Sequence, residues 1–372
     1  MQFFEGSLSR LPFFVFQLGV PIPSKAMSLP RAIPVLLFIV ALGAGQQSVP
    51  VPQADTEPNA ESASPFAAAR SLLQSGRYEE AISSLQALSA ARPSVRGLDR
   101  ELGVVYYKKA DYLNAISSLN RALQEDAKDN EATQLLGLSY YLAGRPAEAI
   151  PYLEKVQSWF ARANVDASYI LGICYIQSKD YARARIAFAR MFEVPPDSAA
   201  AYLFTARMLL RQEYDPVAEE YAVKASTLDP KLPGAHLLLG ELYLYKSRVP
   251  EAIDQLQKEI NVSPANAAVY YRLADAYTRV EKYDDAERLL QRSIWLDATS
   301  TGPYILMGKV LSKKGELELA VRALQRAAAM DPNNAMTHHL LGQTYRDMGR
   351  KSEAESELKI AEQLRTKRDA PQ

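Results

Sequence analysis

The chain is nearly free of cysteine: Cys174 stands alone among 372 residues, which excludes an internal disulfide. It follows Gly172-Ile173 in an apolar stretch, so it reads as a buried thiol and not as a nucleophile. A surplus of charge is lacking as well. Forty-three basic side chains balance 43 acidic ones, for a formal net charge of +0. No overall field draws such a chain to nucleic acid or to an acidic membrane. The signatures of common chemistry are missing too: there is no glycine-rich phosphate loop, no paired cysteine site, no HExxH and no GxSxG. Histidine is scarce, with three in all. His338 and His339 are adjacent, so on a helix they point to different faces and do not make a metal site. The expectation is a non-enzymatic chain with no cofactor and no metal.

Apolar runs long enough for an ordinary spanning helix are also absent. Ile33 to Ala44 comes nearest, with Lys25 and Arg31 before it and Gly43-Ala44-Gly45-Gln46 closing it. A basic flank, a short apolar core and small residues read as a secretory signal over residues 1–45. Met27 lies just before that core and is the expected true start. Leu11 to Val20 adds a second apolar stretch, so an uncleaved inner-membrane anchor is the alternative. Residues 46–61 are rich in Pro, Gln, Glu, Ser and Ala and read as a disordered linker. An exported chain with a single buried thiol fits the bacterial periplasm, so a periplasmic or secreted location is expected.

What the chain has in quantity is regular spacing. Gly103, Gly137, Gly172, Gly240, Gly308 and Gly342 are separated by 34, 35, 68, 68 and 34 residues. A tyrosine follows three residues after most of them: Tyr106, Tyr140, Tyr175, Tyr243 and Tyr345. An alanine follows twelve after each ruled position, from Ala81 and Ala115 to Ala320 and Ala354. Ala69, Ala206 and Ala274 stand where the glycine is missing. A period of 34 with small residues at fixed places is the mark of a stacked helical repeat. Within the unit from Pro233, Leu239, Gly240 and Tyr243 share one face of a first helix. Glycine there costs about 1 kcal/mol of helix propensity against alanine. It therefore implies a close approach, expected to be by another backbone. Pro250 suits the first turn of a second helix, and Ala252, Ile253, Leu256 and Ile260 form its apolar stripe. Ser263-Pro264 ends it. Nine units are counted, starting near Ser62, Arg96, Asn130, Val165, Ala199, Pro233, Ala267, Thr301 and Ala335. They place a solenoid over residues 62–372. His236 and His338 hold the position of Tyr202, Tyr270 and Tyr304 in other units, so packing is their expected role.

The Gly and Tyr of the first helix, the Ala of the second, and Pro196, Pro230, Pro264 and Pro332 at the turns resemble the tetratricopeptide repeat family. The resemblance implies an all-α fold, a right-handed superhelical solenoid of antiparallel helix pairs whose first helices line a concave groove. It implies a scaffold that binds a protein or peptide segment in that groove. In bacteria, members of this type serve envelope assembly, polysaccharide export or secretion. The alternative is an accessory subunit of a polysaccharide synthesis, export or secretion system. No nucleic acid partner is expected, and the chain is expected to be a monomer or homodimer.

The resemblance assigns the groove to residues just beyond the glycine and a few before it. Early in the array these include Val104, Tyr107, Leu138, Tyr141, Tyr169, Ile173 and Ile176. Later they include Arg207, Arg211, Lys309 and Lys313, with Glu241, Tyr245, Asp275, Arg279 and Arg346. The groove is thus expected to be apolar and aromatic at first, then charged and net basic. Chaperone-binding members clamp a terminal carboxylate with Lys, Asn and Arg. Here Arg100 is followed by Val104 where the clamp needs Asn, so that partner class is not expected.

Overall fold

The computed structural model describes residues 64–159 and 165–369. The expected signal (1–45), linker (46–61), first repeat start at Ser62 and Phe160 lie outside the described residues. Among the described residues there are 18 α-helices and no strand. The described residues fall into two compact units, divided between Glu101 and Leu102. In the first, α1 (Ala67–Gln74) and α2 (Tyr78–Ala91) make a helical hairpin. Arg70 donates two hydrogen bonds to the buried Glu101, at 3.0 and 2.6 Å.

The second unit opens with the remainder of α3 (Leu98–Lys108) and continues through α4 (Tyr112–Glu125), α5 (Asn130–Leu142), α6 (Pro146–Ser158) and α7 (Val165–Gln177). Then come α8 (Tyr181–Met191), α9 (Ala199–Arg211), α10 (Asp215–Leu228), α11 (Ala235–Tyr245), α12 (Val249–Val262) and α13 (Ala267–Arg279). The last five are α14 (Tyr283–Leu296), α15 (Thr301–Lys314), α16 (Leu317–Met330), α17 (Ala335–Asp347) and α18 (Lys351–Asp369). From α4 onward each helix packs on the next, which makes an all-α solenoid of helix pairs. The odd-numbered helices are the first members of the pairs. Three of them, α11, α13 and α15, also meet the first helix of the following pair.

Each first helix stops at a residue in the left-handed region. Gly144, Gly315 and Gly349 serve there, but so do Ala110, Lys179, Glu213, Ser247 and Glu281, with φ between 58° and 64°. The next amide then bonds back to the carbonyl five residues earlier, as in Asp111 to Tyr106 at 2.9 Å and Arg248 to Tyr243 at 2.8 Å. This closure satisfies carbonyls that the helix end would orphan and reverses the chain into the second helix.

The ruled glycines face side chains first, and at two of them backbone as well: a Cβ at Gly342 would lie 3.2 Å from the Ala354 carbonyl oxygen, and one at Gly103 would lie 3.4 Å from the Leu119 amide nitrogen. A Cβ at Gly240 would lie 2.5 Å from Cγ of Leu256, sixteen residues on. The same leucine meets Gly103 (Leu119), Gly137 (Leu153), Gly308 (Leu324) and Gly342 (Leu358), while Gly172 meets Phe188. The expectation of a backbone approach is therefore met only in part: the glycine is first a socket for one large apolar side chain of the partner helix, with that helix's backbone close behind at Gly103 and Gly342. Where the socket residue is Ala206, the residue sixteen on is the small Ala222, and both are fully buried. The ruled alanines Ala115, Ala149, Ala184, Ala218, Ala252, Ala286 and Ala320 are all at 0% exposure, which lets the paired helices close tightly.

The recurring tyrosine ties two neighbouring units. Its ring carries the cation of the turn that follows: Arg145 over Tyr140 at 5.0 Å, Arg248 over Tyr243 at 4.2 Å, Arg350 over Tyr345 at 4.6 Å. Its hydroxyl reaches the second helix of the preceding pair. Asn120 donates to Tyr140 at 3.3 Å, Gln257 to Tyr277 at 2.9 Å and Gln325 to Tyr345 at 3.0 Å. Tyr345→Phe is expected to cost about 0.5–1.5 kcal/mol, the worth of one such bond. A guanidinium melt of the variant against wild type measures it, and an unchanged midpoint would leave the ring alone as the tie.

His236 and His338 are packing residues with a polar task. Each ring nitrogen has a partner: His236 meets Gln255 at 2.7 Å and the Pro230 carbonyl at 3.2 Å, and His338 meets Glu357 at 2.6 Å and the Pro332 carbonyl at 3.0 Å. Tyr270 does the same for the Pro264 carbonyl at 3.0 Å. This position therefore fastens the turn between units to the helix that follows it. Cys174 is at 0% exposure, and burial pushes its thiol up to about 12. Native protein is expected to resist a maleimide at neutral pH and to react fully once denatured, as mass spectrometry would show.

Candidate interaction face

The first helices carry the residues that the sequence assigns to a groove. On α3, α5 and α7, Val104, Tyr107, Leu138, Tyr141 and Tyr169 are half-buried. Leu138, Tyr141 and Tyr169 rest on one core cluster formed by α6, α7, α8 and α9 with Ala218 of α10. Burial, and after it the neighbouring Tyr169, raises the Tyr141 hydroxyl above its ordinary value. Burial does the same for Tyr107, whose ring lies 6.2 Å from that of Tyr112. These rings are thus partly seated in the core and partly open to solvent.

Ile173 and Ile176 are core residues, at 2% and 0% exposure, and are corrected from the groove set. The reason lies in α7, where Leu171 through Ile176 are all buried among α6, α8 and α9. The uninterrupted run Tyr169-Ile-Leu-Gly-Ile-Cys-Tyr-Ile176 signals a helix that is apolar all round, and such a helix is covered on every side.

Among the later residues, Arg211, Lys309 and Lys313 are exposed and Arg346 with them. Among the described residues none of these four has a carboxylate partner. Arg207 is different: it is half-buried, and its Nη1 lies buried without a hydrogen-bond partner. Its guanidinium fits where Gly234 has no side chain, since a Cβ there would lie 2.5 Å from Nη2. Desolvation lowers its pKa, while Glu241 and Glu259 act in the opposite direction. Arg207 is therefore corrected from an open steering charge to the cation of a buried cluster.

Sequence reasoning missed the anion of that cluster. Glu259, at 0% exposure, accepts from the amides of Gly234 at 2.8 Å and Leu237 at 3.2 Å, which caps the start of α11. The available signal was a carboxylate at a repeat position where Ala225 and Ala327 stand in other units. Two further acids of the expected groove are satisfied internally. Glu241 accepts from Arg272 at 2.8 Å, and Asp275 from Arg279 at 2.9 Å. The unpaired positive charge of this face thus resides in Arg211, Lys309, Lys313 and Arg346. Tyr245, at 76% exposure, is its most open aromatic ring.

Among the described residues no group of His, Cys, Asp or Glu is arranged to hold a metal ion, and no helix is long and apolar enough to cross a membrane. The face offers half-buried rings, apolar side chains and exposed cations.

Family models match along the array. The model described as Tetratricopeptide repeat matches residues 66–130 and 234–303, TPR repeat matches 308–349, and Anaphase-promoting complex, cyclosome, subunit 3 matches 108–191. The chain is a tetratricopeptide repeat protein. Its repeat array makes it a protein-interaction scaffold, and the matches give no sign of a catalytic family. Similar solved structures include MamA, 24% identical, covering 44% of this chain and 96% of that chain at a TM-score of 0.41. YrrB, titled a TPR protein with an unusual peptide-binding site, is 23% identical over 49% of this chain and 93% of that chain, with a TM-score of 0.42. PilF of Pseudomonas aeruginosa is 21% identical over 52% and 88%, with a TM-score of 0.43. No curated protein matches the chain.

Proposed function

We propose that this repeat protein is an exported scaffold of the cell envelope that holds a segment of a partner protein along its first helices. The observation that carries the reading is the contrast along that face. Half-buried Val104, Tyr107, Leu138, Tyr141 and Tyr169 lie early, and the unpaired cations Arg211, Lys309 and Lys313 lie late. Aromatic edges supply contact area at low entropic cost, and exposed cations speed and orient capture. The partner is a protein or peptide with apolar side chains at one end of the docked segment and carboxylates at the other.

Site-specific photo-cross-linking in the source cell tests this. A benzophenone amino acid at Val104, Leu138 or Lys309 is expected to capture one and the same polypeptide. Placed at Lys224, on the exposed side of α10, it is expected to capture none. Equal adducts from all positions would remove the first helices as the site.

Export rests on the layout from Lys25 to Gly45. The mature N-terminus is expected between Leu42 and Gln47, read by mass spectrometry of protein from the native envelope. A terminus at Met1 or Met27 would instead support an anchor.

A further inference from the structure

The exposed sides of two second helices carry a cluster that the first-helix face does not explain. On α14, Arg288, Arg292 and Trp295 are exposed and fall on one stripe, opposite the buried Ala286, Leu290 and Ser293. Trp295 is 72% exposed. The Arg292 guanidinium lies 4.3 Å from the Trp295 ring and 5.9 Å from that of Tyr270. On α16, Arg322 and Arg326 occupy the same register 34 residues later, and both are exposed. The equivalent residues of α12, Asp254 and Lys258, pair with each other at 2.6 Å instead. Asp285 holds Arg288, but among the described residues no carboxylate pairs with Arg292, Arg322 or Arg326. A shallow recess opens at Arg288 and Asp285, lined further by Ile260, Leu273, Leu289 and Tyr277 together with Gln257 and Asn261.

Tryptophan and arginine are the residue types that concentrate binding energy at protein interfaces. Here an open indole lies against a guanidinium that has no carboxylate partner among the described residues, on the same helix whose Arg288 borders the recess. A complementary partner brings carboxylates to the arginines and an apolar side chain to the recess. Charge placement narrows the class of partner. Asp284, Asp285 and Glu318 lie on the same two helices and interrupt the positive field. A continuous polyanion or an anionic bilayer would meet these acids, whereas a protein segment can place its carboxylates one by one.

We propose that α14 and α16, with the recess that α12 and α13 share with α14, form a second docking surface, apart from Arg211, Lys309 and Lys313, for an acidic protein segment with an apolar anchor. The full chain is titrated with a short fluorescein-labelled peptide of glutamates around a central pair of leucines, and binding is followed by anisotropy. The peptide is expected to bind. The double variant Arg292→Ala/Arg326→Ala and the variant Trp295→Ala are each expected to weaken it about tenfold, the effect of losing one good anchor. Lys224→Ala, on the exposed side of α10, is expected to leave it unchanged, whereas a loss that follows Lys309→Ala/Lys313→Ala would place the peptide on the first-helix face. All the altered side chains are exposed, and far-UV circular dichroism confirms that the variants fold. Four results overturn the proposal: no binding; equal binding of a peptide with glutamine for glutamate; loss through the Lys309 and Lys313 changes alone; or tighter binding of phosphatidylglycerol vesicles or single-stranded DNA through the same arginines.

Discussion

Phe188→Ala is expected to be among the most damaging single changes in the array, costing about 3–5 kcal/mol. Phe188 is at 0% exposure and fills the socket above Gly172, with Cε1 2.5 Å from where a Cβ would stand. The reverse insult, Gly172→Ala, is expected to cost about 1–3 kcal/mol, because a fully packed ring has nowhere to retreat. The pair should couple. Elsewhere the repeat accepts alanine in the socket when leucine stands opposite, as at Ala274 and Leu290, both at 0% exposure. Gly172→Ala/Phe188→Leu rebuilds that combination and is expected to be more stable than the sum of its single changes. Guanidinium melts give the energies, and hydrogen exchange of the α7 and α8 amides gives the local effect, since a repeat array need not unfold in one step. Strict additivity of the two changes would separate the glycine from the ring and undo the socket account.

The helix pairing was legible because it rests on small residues at fixed spacing, and spacing is what a sequence carries directly. Gly240, Ala252 and Pro250 declare a tight first helix, a tight second helix and a start between them. The object facing the glycine was not legible. Leu256 lies sixteen residues away on another helix, and only the packed geometry puts it over Gly240. Depth was lost for the same reason. Helical periodicity tells which residues share a side, but the neighbours decide how far that side is covered. Ile173 and Leu138 hold the same repeat position, yet one is core and the other half-open, because α7 is enclosed by α6, α8 and α9. Arg207 and Lys309 also share a position. The first packs into the vacant side of Gly234 at the start of α11, with Glu241 and Glu259 acting on it, and the second stays in solvent. The fold is thus written in the repeat, and the binding face in the departures from it.

Those departures set the last expectation, the release of the partner. Replacing Tyr141 and Tyr169 by alanine together is expected to abolish capture, each ring contributing about 1–2 kcal/mol or more at a packed interface. Both rings also rest on the core cluster of α6 to α10, so the double variant should lose some stability as well. The phenylalanine variants keep that packing and are expected to retain capture, which separates loss of a contact from loss of fold. Reversing Lys309 and Lys313 to glutamate acts differently. Both are exposed and without a carboxylate partner among the described residues, so the fold is expected to be untouched. Association should slow and lose its dependence on salt, while dissociation changes little. Rates measured with the cross-linked partner, once purified, decide between the two roles. A partner still held after both tyrosines are gone would move the principal site away from α5 and α7, and the arginine and tryptophan surface of α14 and α16 is then the next place to look.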